Sequence, residues 1–148
     1  MQRLALLIFL FISVSGIAQI KTGCYYVKEK SDSTVLAVGK KDTVWVDPLP
    51  IITIMDFHSV RMLGTSNGYE LDIKLEKAGA EKFRDATSKW LQKKMAIVVN
   101  GELMSAPIVV GVIANGKIRL TNGSATKAEM EALKRSLQAE MKKEKKKS

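Results

Sequence analysis

GYELDIKLEKAGAEKFRDATSKWLQKKMAIVVNGELMSAPIVVGVIANGKIRLTNGSATKAEMEALKRSL, residues Gly68–Leu137, moves from an alternating hydrophobic pattern to a helical one, back again, and finally to a second helix. Tyr69, Leu71, Ile73 and Leu75 alternate with Glu70, Asp72 and Lys74, the signature of a strand with one buried and one wet face. Over Lys77–Lys93 the spacing becomes helical: Phe83, Ala86, Thr87, Trp90 and Leu91 fall on one side, with Glu81, Lys82, Asp85, Lys89 and Lys93 on the other. Met95–Val99 is apolar throughout, as expected for a central strand covered on both faces. Asn100–Gly101 is a hairpin signal, because both residue types tolerate the positive φ of a type I′ turn. Leu103–Val112 is expected to return as a strand, with Pro107 at an edge or bulge where a missing amide costs little. A second Asn-Gly pair, Asn115–Gly116, turns the chain into Lys117–Thr121. Thr126 and Glu129 then form a capping box that opens a helix whose stripe is Met130, Leu133, Leu137 and Met141.

This order of strand, helix, three strands and helix predicts an α+β fold. It is an antiparallel sheet with two helices on one face, ferredoxin-like in character. Upstream, Cys24–Val27, Thr34–Val38 and Thr43–Val46 are short β-branched or aromatic runs separated by polar turns, which predicts a small β meander before the main sheet. Asp47-Pro48-Leu49-Pro50 breaks any ladder and is the natural internal boundary. Ile51–Met55 and Ser59–Leu63 lead into the main region.

At the N-terminus, Met1–Arg3 is a short positive region and Leu4–Val14 an apolar run, followed by the small residues Ser13, Ser15, Gly16 and Ala18. This pattern predicts a signal peptide over residues 1–18, cleaved between Ala18 and Gln19. An uncleaved anchor needs roughly 20 apolar residues, more than this run supplies. The expected organisation is therefore signal peptide 1–18, meander 19–47, α+β domain 48–141 and lysine-rich tail 142–148. Export to the periplasm or beyond follows from this reading, in preference to a membrane anchor or lipoprotein.

The 148 residues carry 46% hydrophobic and 26% charged side chains, enough for one compact core and too ordered a mixture for wholesale disorder. The formal charge of +9 is concentrated at the end, where Lys142, Lys143, Lys145, Lys146 and Lys147 crowd together. They read either as a solvated helix end that suits the helix dipole or as a weak, salt-sensitive tether to anionic membrane or envelope surfaces. Trp45, Trp90, Tyr25, Tyr26 and Tyr69 sit on separate elements without interleaved arginine, so no nucleic-acid platform is expected.

Signals for chemistry are few. His58 is the one histidine, flanked by Asp56 and Ser59, with no nucleophile elbow in the chain. Cys24 is the one cysteine, so neither an internal disulfide nor a zinc site of the usual ligands can be assembled. Gly23 precedes Cys24 as in a lipobox, but Lys21 and Thr22 break that pattern, and Cys24 reads better as a small residue on the first strand. Glu76, Glu81 and Asp85 lie beside lysines on a solvated helix face. Walker, dinucleotide and calcium-loop motifs are missing. Asn122-Gly123-Ser124 matches a glycosylation sequon at a natural turn. No catalytic residue, cofactor or metal is expected.

About half of the chain resembles a known family. Gly79, Ala80 and Phe83 supply a Gly-Ala-x-x-Phe helix after a strand; Ala96–Val98, Asn100–Gly101 and Ser105–Pro107 follow in the same order as in that family. Pro50, Ile51, Asp56 and Phe57 loosely match the segment before it. The pattern resembles the head of the first large periplasmic domain of SecD, a preprotein translocase subunit. The resemblance implies a mobile, non-catalytic element that holds or guides polypeptide outside the membrane, with polypeptide or Sec translocon components as partners. Under that reading Asn100, Gly101, Glu102, Ser105, Ala106 and Pro107 form a candidate edge strand and turn. Their exposed amides and carbonyls can accept an extended peptide, or Pro107 can be there to block such pairing. The family's membrane helices have no counterpart here after the N-terminal segment, and the stretch that would lead into them is replaced by the lysine tail. The alternative is an envelope-associated structural or interaction protein that reuses the fold and is tethered by its basic tail.

Overall fold

A computed structural model describes residues 20–121 and 124–148. The expected signal peptide with its expected Ala18–Gln19 cleavage site, and Asn122 and Gly123 of the sequon, lie outside the described residues. In chain order the elements are β1 (Gly23–Tyr26), β2 (Val35–Val38), β3 (Thr43–Val46) and β4 (Ile52–Thr53). A 3-10 turn over Ile54–Asp56 follows, then β5 (Phe57–Thr65), β6 (Gly68–Leu75), α1 (Lys77–Lys89), β7 (Met95–Val99), β8 (Glu102–Ser105), β9 (Lys117–Thr121) and α2 (Lys127–Lys147). The class is α+β and every strand pairing is antiparallel, as the periodicities predict.

The strands divide among three sheets, ordered β4-β1-β7-β8, β2-β3 and β5-β6-β9. β7 is the hinge of the design. Met95, Ile97 and Val99 point into a large core shared with Phe83 and Ala86 of α1, Met130 and Leu137 of α2, and Leu71 and Ile73 of β6. Ala96 and Val98 point the other way, into a smaller core with Tyr25, Ala37, Val44, Val46 and Leu103. The unbroken apolar run is thus explained: one strand serves two cores, and the β2–β3 hairpin roofs the second.

In three places the structure differs from the sequence-based expectation. The first strand of the expected meander keeps only a bridge from Val27 to Val46 of β3 and otherwise pairs with β7 and β4, with Cys24 opposite Ile97 and Tyr25 opposite Ala96. Its alternating side chains fit between the two cores, and Gly23 permits the close approach, because a Cβ there would collide with the Ile52 carbonyl. Helix α1 ends at Lys89, four residues early. Gln92 takes a left-handed conformation (φ 64°), and the Trp90 indole folds back to donate to the Lys94 carbonyl (2.8 Å), so Leu91 leaves the buried face. Finally, the expected return strand Leu103–Val112 is ladder only over β8. Pro107 has no amide to continue it, and the chain proceeds through a single bridge, Ile108 to Lys94.

Local signals held elsewhere. Asn100 (φ 51°) and Gly101 (φ 80°) form the β7–β8 turn. Thr126 Oγ1 accepts from the Glu129 amide (3.2 Å) while Glu129 accepts from the Thr126 amide (2.7 Å), closing the capping box of α2. Thr53 and Asp56 build a second box around the 3-10 turn. Gly79 lets α1 lie against that turn, since a Cβ there would meet the Asp56 side chain at 2.7 Å. Helix α2 runs beside β5, where Gln138 Nε2 and Lys145 Nζ donate to the carbonyls of Val60 (3.3 Å) and Phe57 (2.8 Å).

Candidate functional site

The candidate turn is anchored rather than free. Asn100 Nδ2 donates to Ser136 Oγ of α2 (2.6 Å), and its amide donates to Thr22 Oγ1 (3.0 Å), which in turn donates to Glu140 Oε2 (2.8 Å). A positive-φ residue with its side chain and amide both engaged is a structural clamp between β7, α2 and the chain ahead of β1. Glu102 and Ser105 pair with Val99 and Ile97, with a bulge between Ile97 and Val98. The outer edge of β8 is partly covered. Gly39 of the β2–β3 turn lies so close to the Leu103 carbonyl that a Cβ would collide with it. Ala106 packs against the smaller core. The stretch Asn100–Ala106 is therefore largely built into the fold.

The open part begins one residue later. Met95 donates to the Pro107 carbonyl (3.0 Å), the Val109 amide donates to Lys93 (2.9 Å), and Gln92 donates to the Val109 carbonyl (2.8 Å). The Ile113 amide donates to Thr87 Oγ1 of α1 (3.0 Å), and that hydroxyl donates to the Arg84 carbonyl (3.0 Å). Those bonds all face inward, leaving the peptide groups of Ile108, Val110 and Val112 without a partner among the described residues. The side chains follow suit: Val109 is buried, while Ile108, Val110 and Val112 are 52%, 82% and 50% exposed. Leu91, next to Gln92, adds a fourth exposed apolar side chain at 43%. Beneath the segment lies an apolar cavity of about 120 Å³ lined by Phe83, Met95, Ile97, Val109, Ile113 and others.

Sequence reasoning missed Ile108, Val110 and Val112 as a row. Pro107–Ala114 is apolar at nearly every position, so no period distinguishes the side that faces the core.

The remaining candidates are placed as follows. Lys142–Lys147 belong to the last turns of α2. Lys145 bonds Phe57 and Glu76 (3.3 Å), and Lys147 pairs with Glu144 (3.0 Å). Lys142, Lys143 and Lys146 are exposed. His58 is exposed and its ring meets Glu76 Oε1 (3.2 Å); the imidazole, with Lys145, holds the Glu76 carboxyl below the usual range. Cys24 is buried, and desolvation pushes its thiol up to about 12, far from the thiolate that nucleophilic chemistry requires. Among the described residues there is no group of three His, Cys, Asp or Glu side chains arranged to hold a metal. Nor is any helix there long and apolar enough to cross a membrane.

Fold and edge together define a small α+β scaffold that displays a half-open apolar segment, bent at Gly111. The chain belongs to the family of the SecDF P1 head subdomain, whose family model matches residues 31–141. Membership places it among modules related to protein translocation. The match takes in the β2–β3 hairpin, whereas β1, which gives Tyr25 to the second core, lies ahead of it. No curated protein matches the sequence. Two solved structures share the fold. The first is SecDF in a super-membrane-facing form (TM-score 0.60, 17% identity over 82% of this chain). The second is a SecDF membrane component described as enhancing protein export (TM-score 0.59, 18% identity over 82% of this chain). This chain spans 19% of the first and 64% of the second.

Proposed function

We propose that this domain is an exported, non-catalytic binding module that takes an extended polypeptide, or a protein-translocation partner, along the edge Pro107–Val112. The observation that carries the reading is the coincidence, on one segment, of unpaired outward peptide groups with the exposed row Ile108, Val110 and Val112. Main-chain groups of this kind add a strand without regard to sequence, and alternating apolar side chains give it grip. A binder of unfolded chains needs that combination of weak selectivity and apolar contact. The family relationship favours a client in transit across the envelope.

In-cell photo-crosslinking tests the proposal, with the probe at Val110 and a control at Lys89 on the exposed side of α1. Adducts to secretory precursors or Sec subunits from Val110 alone are the expected result. Identical patterns from both positions, or adducts confined to unrelated envelope proteins, would remove polypeptide binding at this edge.

A further inference from the structure

The outer face of the three-stranded sheet carries an arrangement that the edge does not use. Register sets Arg61 of β5, Asp72 of β6 and Arg119 of β9 in one cross-strand row. Arg61 Nη2 donates to Asp72 Oδ2 (2.9 Å). Arg119 leans over Asp72 and Glu70 at 3.7 and 3.5 Å, close enough for charge attraction, yet it donates no hydrogen bond among the described residues. Asp72 is buried beneath this row and its Oδ1 has no hydrogen-bond partner. The guanidinium of Arg119 is 59% exposed and its N–H groups are unused. One rung along, Lys74 and Lys117 stand directly opposite each other. Like charges in that position repel, and neither ammonium forms a close ion pair among the described residues, although Lys117 adds to the positive field over the Asp72 carboxylate. Four cations thus face two carboxylates on this side of the sheet, an excess of positive charge.

We propose that this face docks an acidic segment of a protein partner, its carboxylates bridging Lys74 and Lys117 and engaging Arg119. Successive rungs of the sheet are two residues apart, about 6.7 Å, which equals the spacing of alternate side chains along an extended chain. An acidic strand crossing the face parallel to β6 therefore presents a carboxylate at every second residue to a cationic rung. The planar fork of arginine suits that contact. A membrane surface is the weaker match. Leu63 is the one large apolar side chain on this side of β5, it is half-buried, and nothing there can insert between lipids. A small excess of cations alone holds a surface by only about fivefold per charge near the headgroups.

The test uses the full chain and a fluorescent peptide of alternating Glu and Thr, followed by anisotropy, with a Gln-Thr peptide as control. Vesicles containing phosphatidylglycerol form a second arm. The Glu-Thr peptide should bind and weaken with added salt, and Lys117→Glu should reduce the affinity at least tenfold. The thermal midpoint of Lys117→Glu should stay close to that of the parent, because the relieved repulsion with Lys74 offsets the lost attraction to Asp72. That result separates lost binding from lost folding, and Lys74→Glu serves as the second variant should Lys117→Glu fold poorly. Lys142→Glu/Lys146→Glu, on the end of α2, should leave peptide binding unchanged. No binding of the Glu-Thr peptide, equal binding of the Gln-Thr peptide, insensitivity to both sheet variants, equal loss in the α2 variant, or binding to vesicles alone would each overturn the proposal.

Discussion

Replacing Thr87 with valine tests how the open segment is held. Thr87 is fully buried, and its hydroxyl receives the Ile113 amide at 3.0 Å, the clasp that fixes the far end of Pro107–Ile113 to α1. Valine keeps the volume and removes the acceptor. The lost bond costs about 1 kcal/mol net, and an amide left without a partner adds about 1–3 kcal/mol, toward the low end here because half-buried Ile113 can recruit water. The back-bond of the hydroxyl to Arg84 is expendable, since a carbonyl inside a helix already has its intrahelical partner. The expected destabilisation is about 2 kcal/mol. That corresponds to roughly 1 M in urea midpoint and 6–10 °C in Tm for a domain of this size. Urea titration followed by tryptophan fluorescence gives the global value, and amide exchange at Ile113 gives the local one. An unchanged midpoint with Ile113 still protected would mean that the clasp does not hold the segment, and the argument for a supported edge would fail.

Val110→Asp should alter stability by less than about 0.5 kcal/mol, as an exposed site does, while abolishing crosslinks to client chains from a probe moved to Ile108; a large drop in Tm would show that Val110 is packed. Asn100→Ala should cost about 1–2 kcal/mol in urea denaturation, because it strains a positive-φ turn and releases the bond to Ser136. A neutral outcome would deny the clamp. The carboxyls of Asp47 and Asp72 are held below their usual range, chiefly by hydrogen bonds from Lys28 and Arg61. Their folded pKa values lie under the unfolded ones, so their stabilisation is complete above about pH 4 and is lost as pH falls through the folded values. Asp72→Asn should accordingly flatten the acid limb of a Tm-against-pH curve, and an unaltered limb would contradict the assignment. Cys24 should resist maleimide at pH 7 in the folded protein and react only as fast as the domain opens, because it is buried with its thiol near 12; rapid labelling would disprove its burial.

What the sequence disclosed was local. The Asn100–Gly101 turn, the Thr126–Glu129 cap and the double burial of β7 each depend on residues within a few positions of one another, and all three were legible. The partner of β1 was not, because Gly-Cys-Tyr-Tyr fits many sheets and its ladder lies some seventy residues away. The end of α1 was hidden for a related reason: the helical spacing runs on through Leu91, and only the left-handed turn at Gln92 expels it. At the candidate site, the sequence pointed to Asn100–Pro107, whereas the exposed row Ile108, Val110 and Val112 begins just beyond it. Asn100 is occupied by Ser136, a contact across thirty-six positions that no spacing rule anticipates. The charged row of Arg61, Asp72 and Arg119 escaped for the same reason, since its register exists only once three strands are aligned.

The bond from Lys145 to Phe57 has a consequence for how many copies of this chain can gather. With Gln138, it closes the outer side of β5 to any incoming strand, while β4, at the far side of the other large sheet, is only two residues long. Each of these sheets is thus blunted at one end. A neighbour can add to what remains, but extension of either sheet through its own far side is stopped at the blunted end. Trimming α2 before Lys145 would uncover the start of β5 and so remove part of that protection.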